Sequence, residues 1–432
     1  MRRLSMPQLV LGIAGVLVVA AAQAVPPVPA WVVAKQGDAL GGSTISTLNT
    51  PFTDGNGKVG FVGALADNQR FVWWDTGPVF YSGSALPLVL TGGEGTMGVS
   101  DTGGFIYSPS ADGNDSVYTH GGLLLAGTQV VPNLGGLIST FNSRPQMLPD
   151  GTALWIGGTR TDAQGTTSNR HLFRASDPTD PSTITPIWSG GDLIQGIPIA
   201  TSASNFTYML SDNGLNHIHV LTMSTGSSLD DVHVYVNGDF VAQESKPTGF
   251  GDAWQNFGDV GIHDHGNYIF AGDTDGPTAT DAFVAYNGII GVREGDTIDG
   301  VTLASGAATR AISINNLNQV VHMWGWGSGA SLQEHLFFGD GADLANSIRL
   351  LSLGDEIDAD GDGIADFLLT DFSASTVVGP GLRLAEDGYV FLEVVMRSIA
   401  EQTTHNAIIR VAIPEPASLV LLALAGLLLR RR

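Results

Sequence analysis

The chain has 432 residues, of which 43% are hydrophobic and 14% charged, with 57 Gly, no Cys and a formal net charge of −23. Enough apolar residues are present to build a core, so the body is globular and not disordered, and the glycine-rich, turn-rich texture points to an all-β chain. The lack of Cys excludes disulfide staples and thiol catalysis, and the acidity excludes nucleic acid and anionic lipid as partners while favouring divalent cations, basic partners or a neutral glycan.

Taken in chain order, Arg2 and Arg3 precede an apolar run from Leu9 to Ala22, and Ala22-Gln23-Ala24 forms an A-x-A cleavage site. Together these make a secretory signal peptide over 1–24, cut after Ala24 by signal peptidase, with the mature chain beginning at Val25. Next come Trp31-Val32-Val33-Ala34 and Gly37-Asp38-Ala39-Leu40. A turn signature then recurs: Asp54-Gly55-Asn56-Gly57, Asp101-Thr102-Gly103, Asp150-Gly151, Asp212-Asn213-Gly214, Asp264-His265-Gly266, Asn315-Asn316-Leu317-Asn318 and Glu386-Asp387-Gly388. Each is followed by alternating apolar residues, the pattern of a tight hairpin whose second strand has one buried face. Weaker second hairpins follow, clearest at Asn237-Gly238 and Asn287-Gly288, so each repeat supplies four strands.

Several repeats close on a Gly-Asp pair, at Gly191-Asp192, Gly295-Asp296 and Gly354-Asp355, and the same element stands at Gly37-Asp38 near the start of the mature chain. The last repeat stops at Ile408-Ile409-Arg410-Val411 without one. The N-terminal strand is therefore expected to complete the final repeat, as a ring needs in order to leave no open edge. The expectation is an all-β, seven-bladed β-propeller of four-stranded blades over 25–413, with a β-solenoid as the alternative.

Three constellations are candidates for chemistry. Asp358, Asp360, Asp362 and Asp366, with Gly363 in the sixth position of the same run, have the spacing of a calcium loop, an acidic insertion expected in the sixth repeat. Leu369 stands at its twelfth position, where a bidentate acid would complete the ligand set. His217 and His219 share a strand face and could be joined by His263 around a transition metal, although turns and solvent faces also favour His. The tryptophans, including Trp73-Trp74, Trp188, Trp254 and Trp324-Gly325-Trp326, could stack on sugar rings or pack between blades. No G-x-S-x-G, phosphate-binding glycine loop or H-E-x-x-H occurs, and no catalytic residue is assigned.

The chain ends with Pro414-Glu415-Pro416, an apolar run from Ala417 to Leu429, and Arg430-Arg431-Arg432. Thirteen apolar residues fall short of the roughly 20 of an untilted span, and the three arginines stop the segment with its end on the cytoplasmic side. The arrangement resembles the PEP-CTERM sorting signal, which implies recognition by an exosortase-type membrane peptidase, transient anchoring in the inner membrane and delivery to the cell surface or beyond. The repeats more weakly resemble the tandem NxxGxxxF type. The combined expectation is an exported, non-enzymatic envelope or matrix protein, with exopolysaccharide as a partner; the alternative is a secreted propeller hydrolase or lyase acting on polysaccharide.

Overall fold

The computed structural model describes residues 27–83, 85–86, 88–90, 97–111, 114–127, 129–161, 169–201, 206–372 and 382–414. The signal-peptide residues Ala22 and Ala24, the sorting residues Glu415 and Pro416, and Arg430, Arg431 and Arg432 lie outside these. Among the described residues no helix is long and apolar enough to cross a membrane.

Six blades are built from consecutive strands. The first uses Ser43–Leu48, Val59–Leu65, Arg70–Trp74 and Gly77–Tyr81, with short Ala39–Leu40 and Phe52–Thr53 added. The second uses Met97–Val99, Phe105–Tyr107, Val117–Thr119 and Gly122–Leu125. The third uses Leu137–Met147, Ala153–Arg160, Asn169–Ala175 and Ile184–Ser189. The fourth runs from Phe206 to Gln243, the fifth from Trp254 to Arg293 and the sixth from Ala308 to Ser352, each as a four-stranded antiparallel meander.

The remaining large sheet is composite. Its order is Leu382–Leu384, Tyr389–Ser398, Thr404–Ala412, Val28–Lys35, Glu356–Asp358, Phe367–Asp371. The N-terminal strand pairs antiparallel with the C-terminal one, Trp31 opposite Arg410 and Val32 opposite Ile409, so the ring closes as the sequence predicts. The expectation of seven equal four-stranded blades is corrected: six blades come from continuous chain, and closure falls to a six-stranded sheet drawn from both ends. The acidic insertion is likewise reassigned. It belongs to this closing sheet and not to the sixth repeat, because Glu356–Asp358 lies parallel to the N-terminal strand, Val28 opposite Ile357 and Pro29 opposite Asp358.

The inner strands are buried on both faces, Val232–Val236 throughout and Ala153–Arg160 in all but its last residue, so each sheet packs against a neighbour on either side. Phe61, Phe391 and Ile408 pack between the first blade and the closing sheet, while Leu336, Ile357 and Leu392 pack between that sheet and the sixth blade. The other buried clusters fill the remaining junctions, so the core is a succession of interfaces around the ring. The second hairpins are two-residue turns: Asn237 and Gly238 take φ of 53° and 84°, Asn287 and Gly288 of 49° and 80°, the left-handed conformation such turns demand. In the Gly-Asp elements the aspartate caps the end of the outer strand. Asp38, Asp192, Asp296 and Asp355 accept the backbone N–H of Lys35, Ser189, Arg293 and Ser352 at 2.7–2.9 Å.

Candidate functional site at the channel mouth

The first hairpin turn of each repeat lies at one mouth of the central channel, and hydrogen bonding gives its register. Ser100 accepts the N–H of Gly103, Leu148 that of Gly151, Ser211 that of Gly214, His263 that of Gly266 and Asn315 that of Asn318, all through their carbonyls. The first residue of the turn also caps it with its side chain. Asp54 Oδ1 accepts from the N–H groups of Asn56 and Lys58, Ser100 Oγ from Gly104, Ser211 Oγ from Asn216, and Asn315 Oδ1 from Leu317 and Gln319. The second turn position is then Gly55, Asp101, Pro149, Asp212, Asp264, Asn316 and Glu386 around the ring. Sequence alignment on Asp or Asn near Gly placed Asp54 and Asp150 as equivalents of Asp212; only the turn bonding shows that the first and third repeats carry Gly and Pro at the position where the others carry a polar side chain.

That difference decides the electrostatics. Between the fourth repeat and the closing sheet, each turn donates a backbone N–H to the next turn's side chain: Asn213 to Asp264 Oδ1 at 2.8 Å, Asp264 to Asn316 Oδ1 at 2.8 Å, and Asn316 to Glu386 Oε1 at 2.7 Å. The relay stops at Gly55, which has no side chain to accept, and cannot resume at Pro149, which has no N–H to donate. Among the described residues no backbone amide of a neighbouring turn is bonded to Asp101 or Asp212; Asp212 is held by Asn316 Nδ2 at 3.3 Å. Asp212 is open to solvent through the mouth yet ringed by protein. Loss of hydration, followed by the charges of Asp264, Glu386 and Asp101, raises its carboxyl to about 7. Burial likewise raises Glu386, with Asp264 and Asp387 adding to it.

Below the turns the inner strands are stitched together. Gln146 of the third blade donates to the Leu210 carbonyl at 2.9 Å and accepts the Leu210 N–H at 2.8 Å, and Ser313 Oγ accepts from Leu384 N at 3.2 Å. The channel is a cavity of about 140 Å³ with a mixed lining, Val99, Met209, Val260 and Ile312 standing beside Gln146, Asp212, Ser313, Arg383 and Glu386.

The aspartate loop is a second candidate. Carboxylate oxygens of Asp358, Asp360 and Asp366 lie within 4.8 Å of one another, a grouping that fits a hard cation. Asp358 takes the N–H groups of Gly361 and Gly363 at 2.7 and 2.9 Å, and Asp366 that of Ala359 at 2.8 Å. Burial opposes ionisation of Asp358, but the amides of Gly363 and Gly361 outweigh it and hold the carboxyl below its ordinary value. Asp362 is not in the convergent group; its carboxylate accepts from Ile364 N at 2.8 Å. Leu369, at the twelfth position, is fully buried in the core.

The histidines do not assemble as a metal site. His219 Nε2 and His217 Nδ1 bond to each other at 2.9 Å, burial lowering His219 to about 3, whereas His263 turns to Asn318. Others brace strands, as where His322 bonds Ser347 and receives Trp324 Nε1. All eight tryptophans are buried or half-buried, so none offers an exposed stacking platform.

No protein-family model matches the chain, and no curated protein matches it. Similar solved structures include one from a study of two prolyl endopeptidases, at 14% identity and TM-score 0.41 over 86% of this chain and 49% of that one. The WD40 β-propeller domain of Doa1 has 8% identity and TM-score 0.38 over 90% and 98%, and a Penicillium chrysogenum α-L-arabinanase complexed with arabinobiose has 12% and 0.34 over 84% and 98%. This chain spans about half the length of that prolyl endopeptidase chain. Likeness at this level assigns no activity here.

Proposed function

We propose that this protein is an exported, non-enzymatic component of the cell envelope or matrix, a closed ring that binds ligands and reaches its place through the Pro414-Glu415-Pro416 signal. The observation that carries the reading is the extent of the ring. Its strand pairing runs from Val28 to Ala412, with Ile413 N bonded to the Gly388 carbonyl, so loss of a signal peptide at Ala24 or of a tail beyond Pro414 would break no described pairing. A ring closed by pairing of its two chain ends also suits a disulfide-free protein outside the cell. Within this reading Asp358, Asp360 and Asp366 hold calcium and steady the closing sheet. The test is intact mass of protein released by the native host: absence of Leu419–Arg432 supports sorting, and an intact C-terminus at Arg432 overturns it.

The carboxylates that converge at the mouth favour a second reading, a hydrolase or lyase acting on polysaccharide, because an acid titrating near 7 beside other carboxylates has the ingredients of acid–base catalysis. Two of them, Asp264 and Glu386, are spent on turn amides, which supports the non-enzymatic reading. A glycan array with and without calcium, followed by a product assay on any hit, separates the two. Binding without turnover supports the first, and turnover abolished by Asp212→Asn supports the second.

A further inference from the structure

Four Asn-Gly pairs occur in the chain: Asn56-Gly57, Asn213-Gly214, Asn237-Gly238 and Asn287-Gly288. Such a pair carries latent chemistry. The glycine nitrogen, unhindered by a Cβ, is placed to attack the carbonyl carbon of the preceding Asn side chain, which makes Asn a thermolabile residue. The attack needs a side chain free to rotate and a glycine N–H free to lose its proton.

Three of the pairs are held. Asn237 Oδ1 accepts His217 N at 2.9 Å while its Nδ2 donates to Asn216 Oδ1 at 2.9 Å, and Asn287 repeats this with Tyr268 N at 3.0 Å and Asn267 Oδ1 at 2.9 Å. Asn213 Oδ1 accepts from Ser211 Oγ at 2.8 Å and Leu215 N at 2.9 Å, and Gly214 N donates to the Ser211 carbonyl at 2.8 Å. Asn56 differs. It is exposed at the channel mouth, and among the described residues neither its side chain nor the Gly57 N–H has a hydrogen bond. The amides on either side of Gly57, those of Asn56 and Lys58, are both held by Asp54 Oδ1, at 2.8 and 3.1 Å. The turn also needs its glycine. Gly57 has a φ of 83°, and a Cβ there would stand 2.5 Å from Asp387 Oδ2 of the closing sheet's turn, so the residue that makes Asn56 labile is the one the fold demands.

We propose that Asn56 is a site of spontaneous deamidation and isoaspartate formation in the folded protein. Gly57 N loses its proton to solvent and bonds to Asn56 Cγ; the Cγ–Nδ2 bond breaks and Nδ2 leaves as ammonia, taking a proton from water. Water then opens the cyclic imide at one carbonyl or the other, giving aspartate or isoaspartate. Isoaspartate adds a methylene to the main chain inside the turn that Asp54 caps. Either product adds a carboxylate to a turn that packs against Glu386 and Asp387. The other charges facing this turn are Asp54 and Lys58 within it, Asp75 at 4.0 Å from Lys58, and Asp101, which lines a cavity with Asp54. Loss of the Gly57 proton to hydroxide makes the reaction faster as pH rises. The inference holds under either reading of the function.

The experiment is peptide mapping by mass spectrometry of the purified full-length protein after incubation in heavy-oxygen water at pH 8 and at pH 6, beside a sample kept unfolded in urea. In urea the four pairs should convert at similar rates, since each is the same dipeptide without its fold. In the folded protein Asn56 should convert at least tenfold faster than Asn213, Asn237 and Asn287, and faster at pH 8 than at pH 6. Each conversion should take up one heavy oxygen, with isoaspartate among the products. Asn56→Gln, whose longer side chain closes such a ring far more slowly, should abolish conversion at that position, and a circular-dichroism melt reports whether the variant folds. Conversion of folded Asn56 no faster than that of the other three, an Asn56 that stays intact while the urea sample converts, or conversion without isoaspartate or heavy oxygen overturns the proposal.

Discussion

Asp212 shows how one residue changes meaning with its surroundings. As part of Asp212-Asn213-Gly214 it is an ordinary turn former; at the mouth, where it stays open to solvent, loss of hydration to the surrounding protein and the charges of Asp264, Glu386 and Asp101 raise it to about 7. A carboxyl whose native value exceeds its unfolded one keeps its proton longer in the folded state. Its contribution is therefore complete below the unfolded value and is lost as pH rises through about 7. Thermal melts from pH 4 to 8 should show the unmodified protein losing stability across that interval, and Asp212→Asn should flatten the slope; equal slopes would contradict the assignment. Gln146 carries the opposite lesson. Its amide both donates to and accepts from Leu210 of the next blade, so Gln146→Ala should cost about 1–3 kcal/mol by leaving a part-buried backbone pair unmet, measured by urea unfolding.

At the scale of the element, the aspartate loop was legible as a spacing but not as a position. The order Asp358-x-Asp360-x-Asp362-Gly363 announces tight turns around a cation, and the structure does bring Asp358, Asp360 and Asp366 together. What spacing could not convey is that the strand entering the loop flanks the N-terminal strand through Ile357 and Asp358. Calcium should therefore raise the melting temperature, and Asp358→Asn/Asp360→Asn/Asp366→Asn should abolish the rise, because a ligand that binds only the native state stabilises it by mass action. Identical melts of the unmodified protein with and without millimolar calcium would refute the site. Trimming Asp355 to Asp366, which a solvated surface insertion would tolerate, should here lower stability, since Ile357 is fully buried between the sixth blade and the closing sheet.

At the scale of the whole molecule, one pairing, between Val28–Lys35 and Thr404–Ala412, joins the two ends of the ring. Deleting residues 25–40 removes the Val28–Lys35 strand, bares the edge of Thr404–Ala412 and uncovers Phe391 and Ile408. A large fall in melting temperature with aggregation is expected, checked by calorimetry and light scattering; a soluble truncated protein melting normally would mean that the ring does not rely on its closure.

The strands, the hairpin turns and the closure of the ring were determined by the sequence alone, because period-2 apolar alternation, Asn-Gly turns and a lone Gly-Asp element at the start of the body are local signals with local physical causes. The count of continuous blades, the composite closing sheet and the acidic mouth were decided only by tertiary structure. Which turn position faces the axis is set by hydrogen bonds between turns about fifty or more residues apart, as between Asn213 and Asp264 or Asn316 and Glu386. A Gly at one such position and a Pro at another look interchangeable with any turn residue until the neighbour that needs their side chain or their N–H is in place.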